Sequence, residues 1–196
     1  MREQGTSYEV LEAICMARRA RRDFSPKPID AEMIEKILRV AKTSPYASGR
    51  KNWEIQVVTD SGSIAKMAEM VEAKVNDLRA RIRADFAEEF LTYAENFMSF
   101  ARAPALFVPT FRVGRTLSPI VEGADQVLLE WERDNYVKSI ACVGMLILLA
   151  AESLGLAACY MTGPLLAETE LTRLLKVKRG RSIAAVIPVG YRTGEN

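Results

Sequence analysis

Histidine is missing from all 196 residues of the chain, and with it go the commonest general base near neutral pH and the commonest zinc ligand. Cysteine is scarce and odd in number: Cys15, Cys142 and Cys159 sit in apolar or helical contexts, and no pair has the spacing of a metal site. Buried, reduced thiols are expected, as in a cytosolic protein. A thiol nucleophile would have no imidazole to activate it. No Gly-x-Gly-x-x-Gly turn follows a strand and no Walker A pattern occurs, so neither a Rossmann site nor a glycine cradle for phosphates is expected. Any phosphate must be held by side chains. Net charge is small, with 27 Lys and Arg against 25 Asp and Glu, which argues against nucleic acid as a partner. The apolar uncharged run of residues 139–151 is well short of the ~20 residues that span a bilayer, and residues 1–8 carry no apolar signal core. The expectation is a cytoplasmic protein without metal, membrane or nucleic-acid partners.

What is present is a local concentration of guanidinium. Residues 18–22 read Arg-Arg-Ala-Arg-Arg, closed by Asp23-Phe24, just where an apolar helix carrying Val10, Ile14 and Ala17 ends. Each planar guanidinium can donate paired hydrogen bonds to a phosphate or carboxylate. Pro26 and Pro28 then break the helix. Asp30 is placed to cap a second one, whose Ile34, Ile37, Leu38 and Ala41 recur at helical spacing.

Residues 54–59 read as a strand. From 64 to 100 apolar residues recur every three or four positions, as one long or two consecutive amphipathic helices. Residues 105–108, 157–161 and 184–189 read as further strands, with Pro188 placed for a strand end or edge. The segment 112–133 has no sustained period and is a candidate lid over a pocket, or a tolerated loop with a short helix around 125–131. Residues 135–154 form a helix apolar on nearly every side, suited to a homodimer seam or to a central core position. Helices outnumber strands without regular alternation, which favours one α+β domain over residues 1–196.

Three stretches together, 13–24, 43–53 and 155–164, resemble in order and spacing the FMN-dependent nitroreductase family. The first carries Arg18, Arg19, Ala20, Arg22 and Phe24. The second is Thr43-Ser44-Pro45-Tyr46-Ala47-Ser48-Gly49-Arg50-Lys51-Asn52-Trp53, and the third runs from Gly155 through Met161, Thr162 and Gly163 to Pro164. The resemblance implies a mainly antiparallel sheet flanked by helices, in an intertwined homodimer. It implies that Arg18, Arg19 and Arg22 hold the phosphate and ribityl end of FMN, with Ala20 standing where the family usually has serine. The loop of Pro45, Tyr46, Ala47, Ser48 and Gly49 would cover the ring from the opposite subunit. Many members have Asn where Gly49 stands, Gln at Lys51 and Pro at Asn52.

On the same resemblance, Met161 lies at the cofactor, and Thr162 and Gly163 offer backbone N–H groups to the flavin ring. A glycine there would let a flat ring approach the backbone. The chain ends soon after Arg192, which would stand in for the basic tail of longer relatives, and Arg22, or secondarily Lys51, would stabilise reduced flavin. No catalytic side chain is implied, because the flavin carries the chemistry. The implied activity is a ping-pong oxidoreductase: NADH or NADPH reduces FMN, and an electron-poor acceptor such as a nitroaromatic, quinone or enone reoxidises it. Other flavin chemistry (dehalogenation, azoline oxidation, flavin breakdown) and a non-catalytic anion- or flavin-binding dimer are the alternatives.

Overall fold

A computed structural model describes residues 6–49 and 51–194. Its centre is a five-stranded antiparallel sheet: β1 (Trp53–Val58), β2 (Ala105–Phe111), β3 (Ala157–Ala158), β4 (Ser182–Ile183) and β5 (Ile187–Gly190). The order is β1-β2-β5-β3, with β4 also paired to β2. Strand β2 is buried at all seven positions because both of its faces are covered. Leu106 and Val108 point into one apolar cluster and Phe107 and Phe111 into the other, the two-residue alternation of a pleated strand.

On the first face lie α3 (Ser61–Arg79), α4 (Ala87–Ala94), the 3-10 stretch Glu95–Arg102 and α6 (Glu168–Leu174), through Met67, Val71, Phe100 and Leu171. On the second lie α2 (Ala31–Ala41) and α5 (Gln126–Ser153), through Ile37, Ile140, Val143 and Ile147. The apolar stripe over 64–100 is therefore carried by two consecutive α-helices, α3 and α4, with 3-10 turns before and after α4.

Strand β5 lies between β2 and β3, so Pro188 is neither at an edge nor at a strand end. Ala157↔Gly190 and Ala158↔Val189 pair, then Met161↔Val186 pairs in the same register. Between them Pro188 accepts from Cys159 N at 3.3 Å but has no N–H to return. The missing donor cuts β3 to two residues and leaves Met161 as an isolated bridge, where a strand over 157–161 was expected.

Helix α5 begins nine residues earlier than the apolar run suggests. Asp125 caps it by accepting from Leu128 N at 2.9 Å. The irregular segment thus shrinks to residues 112–125. By length and composition α5 is apolar enough to cross a bilayer, which the uncharged run alone did not suggest. One side of it packs on the sheet as a core helix, while Ala141, Cys142 and Met145 on the other are exposed. Helix α1 (Ser7–Ala17), closed by a Thr6–Glu9 capping box, buries no residue at all. The thiols differ from expectation: Cys159 is buried, but Cys15 and Cys142 are exposed, because they lie on these two uncovered helix faces.

Candidate functional site

Helix α1 stops because Arg18 leaves helical geometry, at φ −58° and ψ 128°, while its N–H still closes on Ile14 O. The chain then runs extended beside the sheet: Arg21 N donates to Ala158 O at 3.1 Å and Ser25 N to Tyr191 O at 2.9 Å. Phe24 is buried and bridges Arg192. This lays the arginine cluster alongside the end of β3. Burial pushes the Cys159 thiol up, and the charges of Arg22 and then Arg18 pull it the other way. Both guanidiniums therefore act on a group more than 130 residues distant in sequence, two positions before Met161.

The arginines divide by task. Arg19 folds back on α1, its Nη1 donating to Met16 O at 2.6 Å and Arg18 O at 2.8 Å, which caps orphan carbonyls at the negative helix end. Arg18, Arg21 and Arg22 form no ion pair with any carboxylate among the described residues. Arg21 Nε is buried without a hydrogen-bond partner. Sequence reasoning assigned Arg21 no role; its place in the guanidinium run was the available signal. Ala20 is exposed between them. Arg192 is held by Glu152 of α5, Nη2 to Oε1 at 2.7 Å.

Beyond Met161, which is buried, the chain opens a 3-10 turn over Gly163–Ala167. Thr162 is exposed and its carbonyl accepts from Leu165 N at 2.9 Å. The first N–H groups of such a turn have no partner within it. The reason for glycine at 163 is internal. A Cβ there would lie 2.6 Å from Phe97 Cγ and 2.7 Å from Cε1, and nearer still to Cδ1, so it is the Phe97 ring that fills the space.

The loop after α2 lies elsewhere. Ser44 is buried, with its hydroxyl donating to Pro45 O at 3.1 Å, and Ala47, Ser48 and Gly49 form a 3-10 turn. Gly49 has φ +62°, the left-handed region that glycine and asparagine tolerate best. That accounts physically for glycine at a position where many nitroreductases carry asparagine. Pro45, Tyr46 and Ala47 line a cleft of about 600 Å³ with Leu117, Trp131 and Tyr136. None of Arg18, Arg21, Arg22, Thr162 or Gly163 lines it. The arginine cluster and the 45–47 loop thus lie at separate places on one chain.

The cleft's outer wall is held by a residue the sequence did not single out. Glu132, 2% exposed on α5, accepts through Oε1 from Thr116 N at 2.7 Å, Leu117 N at 2.6 Å and Ser118 N at 3.2 Å. Its Oε2 accepts from Ser118 Oγ at 2.7 Å. Burial pushes its pKa up, yet the Leu117 N–H, the Ser118 hydroxyl and the two other amides outweigh this and hold it at about 2. No cluster of residues suited to a metal ion occurs among the described residues.

The family model described as "Nitroreductase family" matches residues 15–191. Among curated proteins, an iodotyrosine deiodinase of Nematostella vectensis is 28% identical over 189 residues, covering 89% of this chain and 64% of that protein. The chain spans 52% to 64% of the length of the four deiodinase relatives matched. Among solved structures, a BluB-like flavoprotein of Clostridium difficile 630 superposes with a TM-score of 0.83 at 20% identity, over 95% of this chain and 91% of that one. An oxidized iodotyrosine deiodinase bound to FMN and 3-iodo-L-tyrosine superposes with a TM-score of 0.73 at 18% identity, with the same coverage. A family match over most of the chain and an antiparallel α+β fold shared with these flavoproteins agree, and the chain belongs to the nitroreductase family.

Proposed function

We propose that the protein is a homodimeric, FMN-dependent oxidoreductase that takes electrons from NADH or NADPH and passes them to electron-poor small molecules, among them nitroaromatics, quinones and enones. The observation that carries this reading is the set of arginines beside β3: Arg18, Arg21 and Arg22 have no carboxylate partner among the described residues, and Arg21 Nε is buried and unsatisfied. An oxyanion would satisfy that atom, so the residues present fit the phosphate end of FMN. When bound, FMN supplies a ring that accepts and returns a hydride. Arg18, Arg21 and Arg22 bind its phosphate, Thr162 and Gly163 direct N–H groups at its ring edge, and Arg22 favours the charge of the reduced form. Arg192 is held off by Glu152 and supports the site through the chain beside Phe24.

The loop of Pro45, Tyr46, Ala47, Ser48 and Gly49 is proposed to serve the partner's flavin, because it lies apart from the arginine cluster. A second copy also explains α1, whose Tyr8, Val10, Leu11 and Met16 are each more than half exposed, and the bare side of α5. Burying such faces is the ordinary driving force of an obligate dimer. Exposed free thiols at Cys15 and Cys142 suit a reducing compartment, so the cytoplasm is the proposed location.

A second reading, reductive dehalogenation of a halophenol, is favoured by the curated relatives being deiodinases and by the aromatic lining of the cleft. An absorbance spectrum of the purified protein, before and after anaerobic NADH and then NADPH, tests both. Flavin bands that bleach with either donor and return with a nitroaromatic or quinone support the main reading. Return only with a halophenol, with halide released, transfers the assignment to dehalogenation. A colourless protein that takes up no added FMN overturns both and leaves an anion-binding dimer.

A further inference from the structure

An interior carboxylate ordinarily seeks a cation. Among the described residues Glu132 pairs with none: Arg115 and Arg133 line the neighbouring cleft with it, yet neither forms an ion pair with it. Its Oε1 instead receives three successive backbone N–H groups and its Oε2 a hydroxyl. Three consecutive amides converge on one atom only when the backbone curls around it as an anion nest. The carboxylate therefore dictates the shape of the Thr116-Leu117-Ser118 turn.

Residues 112–125 contain no helix or strand. Arg112 N is tied to Asn52 O at 2.9 Å, and Ile120 and Val121 N–H groups close on Leu117 O within the stretch itself. Gly114 rests against the Tyr136 hydroxyl. By drawing the polar backbone inward, the carboxylate turns apolar side chains outward: Leu117 is 38% exposed and lines the cleft with Tyr46 and Trp131.

We propose that Glu132 is the positioning residue of a preformed lid, holding the 116–118 turn so that Leu117 forms part of the acceptor-facing wall of the cleft it lines with Tyr46 and Trp131. The proposal rests on the reading that the 45–49 loop lining this cleft serves the partner's flavin, beside which the acceptor must bind, but its first test does not need flavin. Hydrogen exchange on the full-length chain without cofactor follows the amides of Thr116, Leu117 and Ser118 in the wild type and in Glu132→Ala, Glu132→Gln and Ser118→Ala. Loss of a charged acceptor predicts exchange roughly ten- to a hundredfold faster at those amides in Glu132→Ala, with the amides of Leu106, Phe107 and Val108 in β2 unchanged. Glu132→Gln keeps one acceptor oxygen without the charge and should fall between.

In turnover, Glu132→Gln and Ser118→Ala should raise the acceptor's KM several-fold while kcat moves less, since the wall is displaced and the arginines that hold the phosphate are not. If Glu132→Ala does not fold, these two variants carry the test alone. Wild-type exchange at 116–118 in every variant overturns the proposal. So does exchange that rises equally across β2 and α5, the mark of a carboxylate that only supports the core. A protein found to bind no flavin would remove the turnover arm and leave the exchange arm standing.

Discussion

Replacing Gly163 by alanine adds one methyl group where the fold has no room for it. The new Cβ would sit 2.6 to 2.7 Å from two Phe97 ring carbons and closer to a third. Phe97 cannot swing clear, because it is 8% exposed and its ring meets Tyr93 edge to face at 4.9 Å. Overpacking of this kind costs about 1–3 kcal/mol. At about 2–4 °C per kcal/mol for a chain of this size, the midpoint of thermal unfolding should fall by roughly 2 to 12 °C. The assay is circular dichroism on the flavin-free protein. A cycle with Phe97→Leu isolates the cause, since the double variant should recover about 1 kcal/mol relative to the sum of the single changes. The competing explanation, that glycine is there only to admit a flavin ring, predicts an unchanged midpoint without flavin and a loss confined to flavin affinity. An unchanged midpoint in flavin-free Gly163→Ala would therefore refute the argument from Phe97.

Three further outcomes are expected. Arg18→Ala combined with Arg22→Ala should weaken FMN binding by roughly 10²- to 10⁴-fold, two charge-assisted contacts being lost, and wild-type affinity in a fluorescence titration would dismiss the phosphate assignment. Glu132, held at about 2 against an ordinary 4.5, contributes lid stability that is complete above about 4.5 and is lost as pH falls toward 2; Glu130, Arg115 and Arg133 line the same cleft, and the arginines keep their charge throughout. Exchange at 116–118, corrected for intrinsic rate, should accordingly match at pH 7 and 5 and quicken at pH 3. Glu152→Gln leaves Arg192, 22% exposed in its side chain, without its carboxylate and should cost about 1–2 kcal/mol in urea unfolding, between the exposed and buried limits.

The sequence was most legible where one element's residues answer only to their own period. Ile34, Ile37, Leu38 and Ala41 marked α2, and Asp30 does stand at its N-cap position, although its side chain makes no capping bond. It was least legible where a residue's reason lies far along the chain. Glu130, Glu132 and Arg133 interrupt the apolar period and hid the first turns of α5. Glu132 is nevertheless buried, because a loop 14 to 16 residues earlier curls back to it. Gly163 invited an explanation from a flat ligand, when a ring 66 positions earlier occupies the space. Pro188 looked like an edge residue, and only the pairing of β5 on both sides reveals a central proline that silences one rung of the ladder. The arginine cluster was legible as a group, but its division was not: Arg19 turns to its own helix, while Arg21 is left with an unsatisfied nitrogen.

The proposed sharing of the flavin site between two protomers can be tested with two kinds of subunit. If the arginines of one protomer and the 45–49 loop of its partner build one site, damage to either half is local to that half. Arg18→Ala with Arg22→Ala empties the phosphate side. Gly49→Val forces a β-branched residue into φ +62°, a conformation it resists, and deforms the loop. Each homodimer should then have two defective sites. A mixed dimer concentrates both defects in one site and leaves the other intact. With random exchange of equal amounts, half of the dimers are mixed, so activity should recover to about one quarter of the wild-type level. Mixing after co-denaturation and refolding, followed by assay with NADH and a nitroaromatic, measures this directly. Recovery near that fraction requires the loop to act across the seam. No recovery from variants shown by sedimentation to exchange subunits would place the whole site within one chain and overturn the proposed sharing.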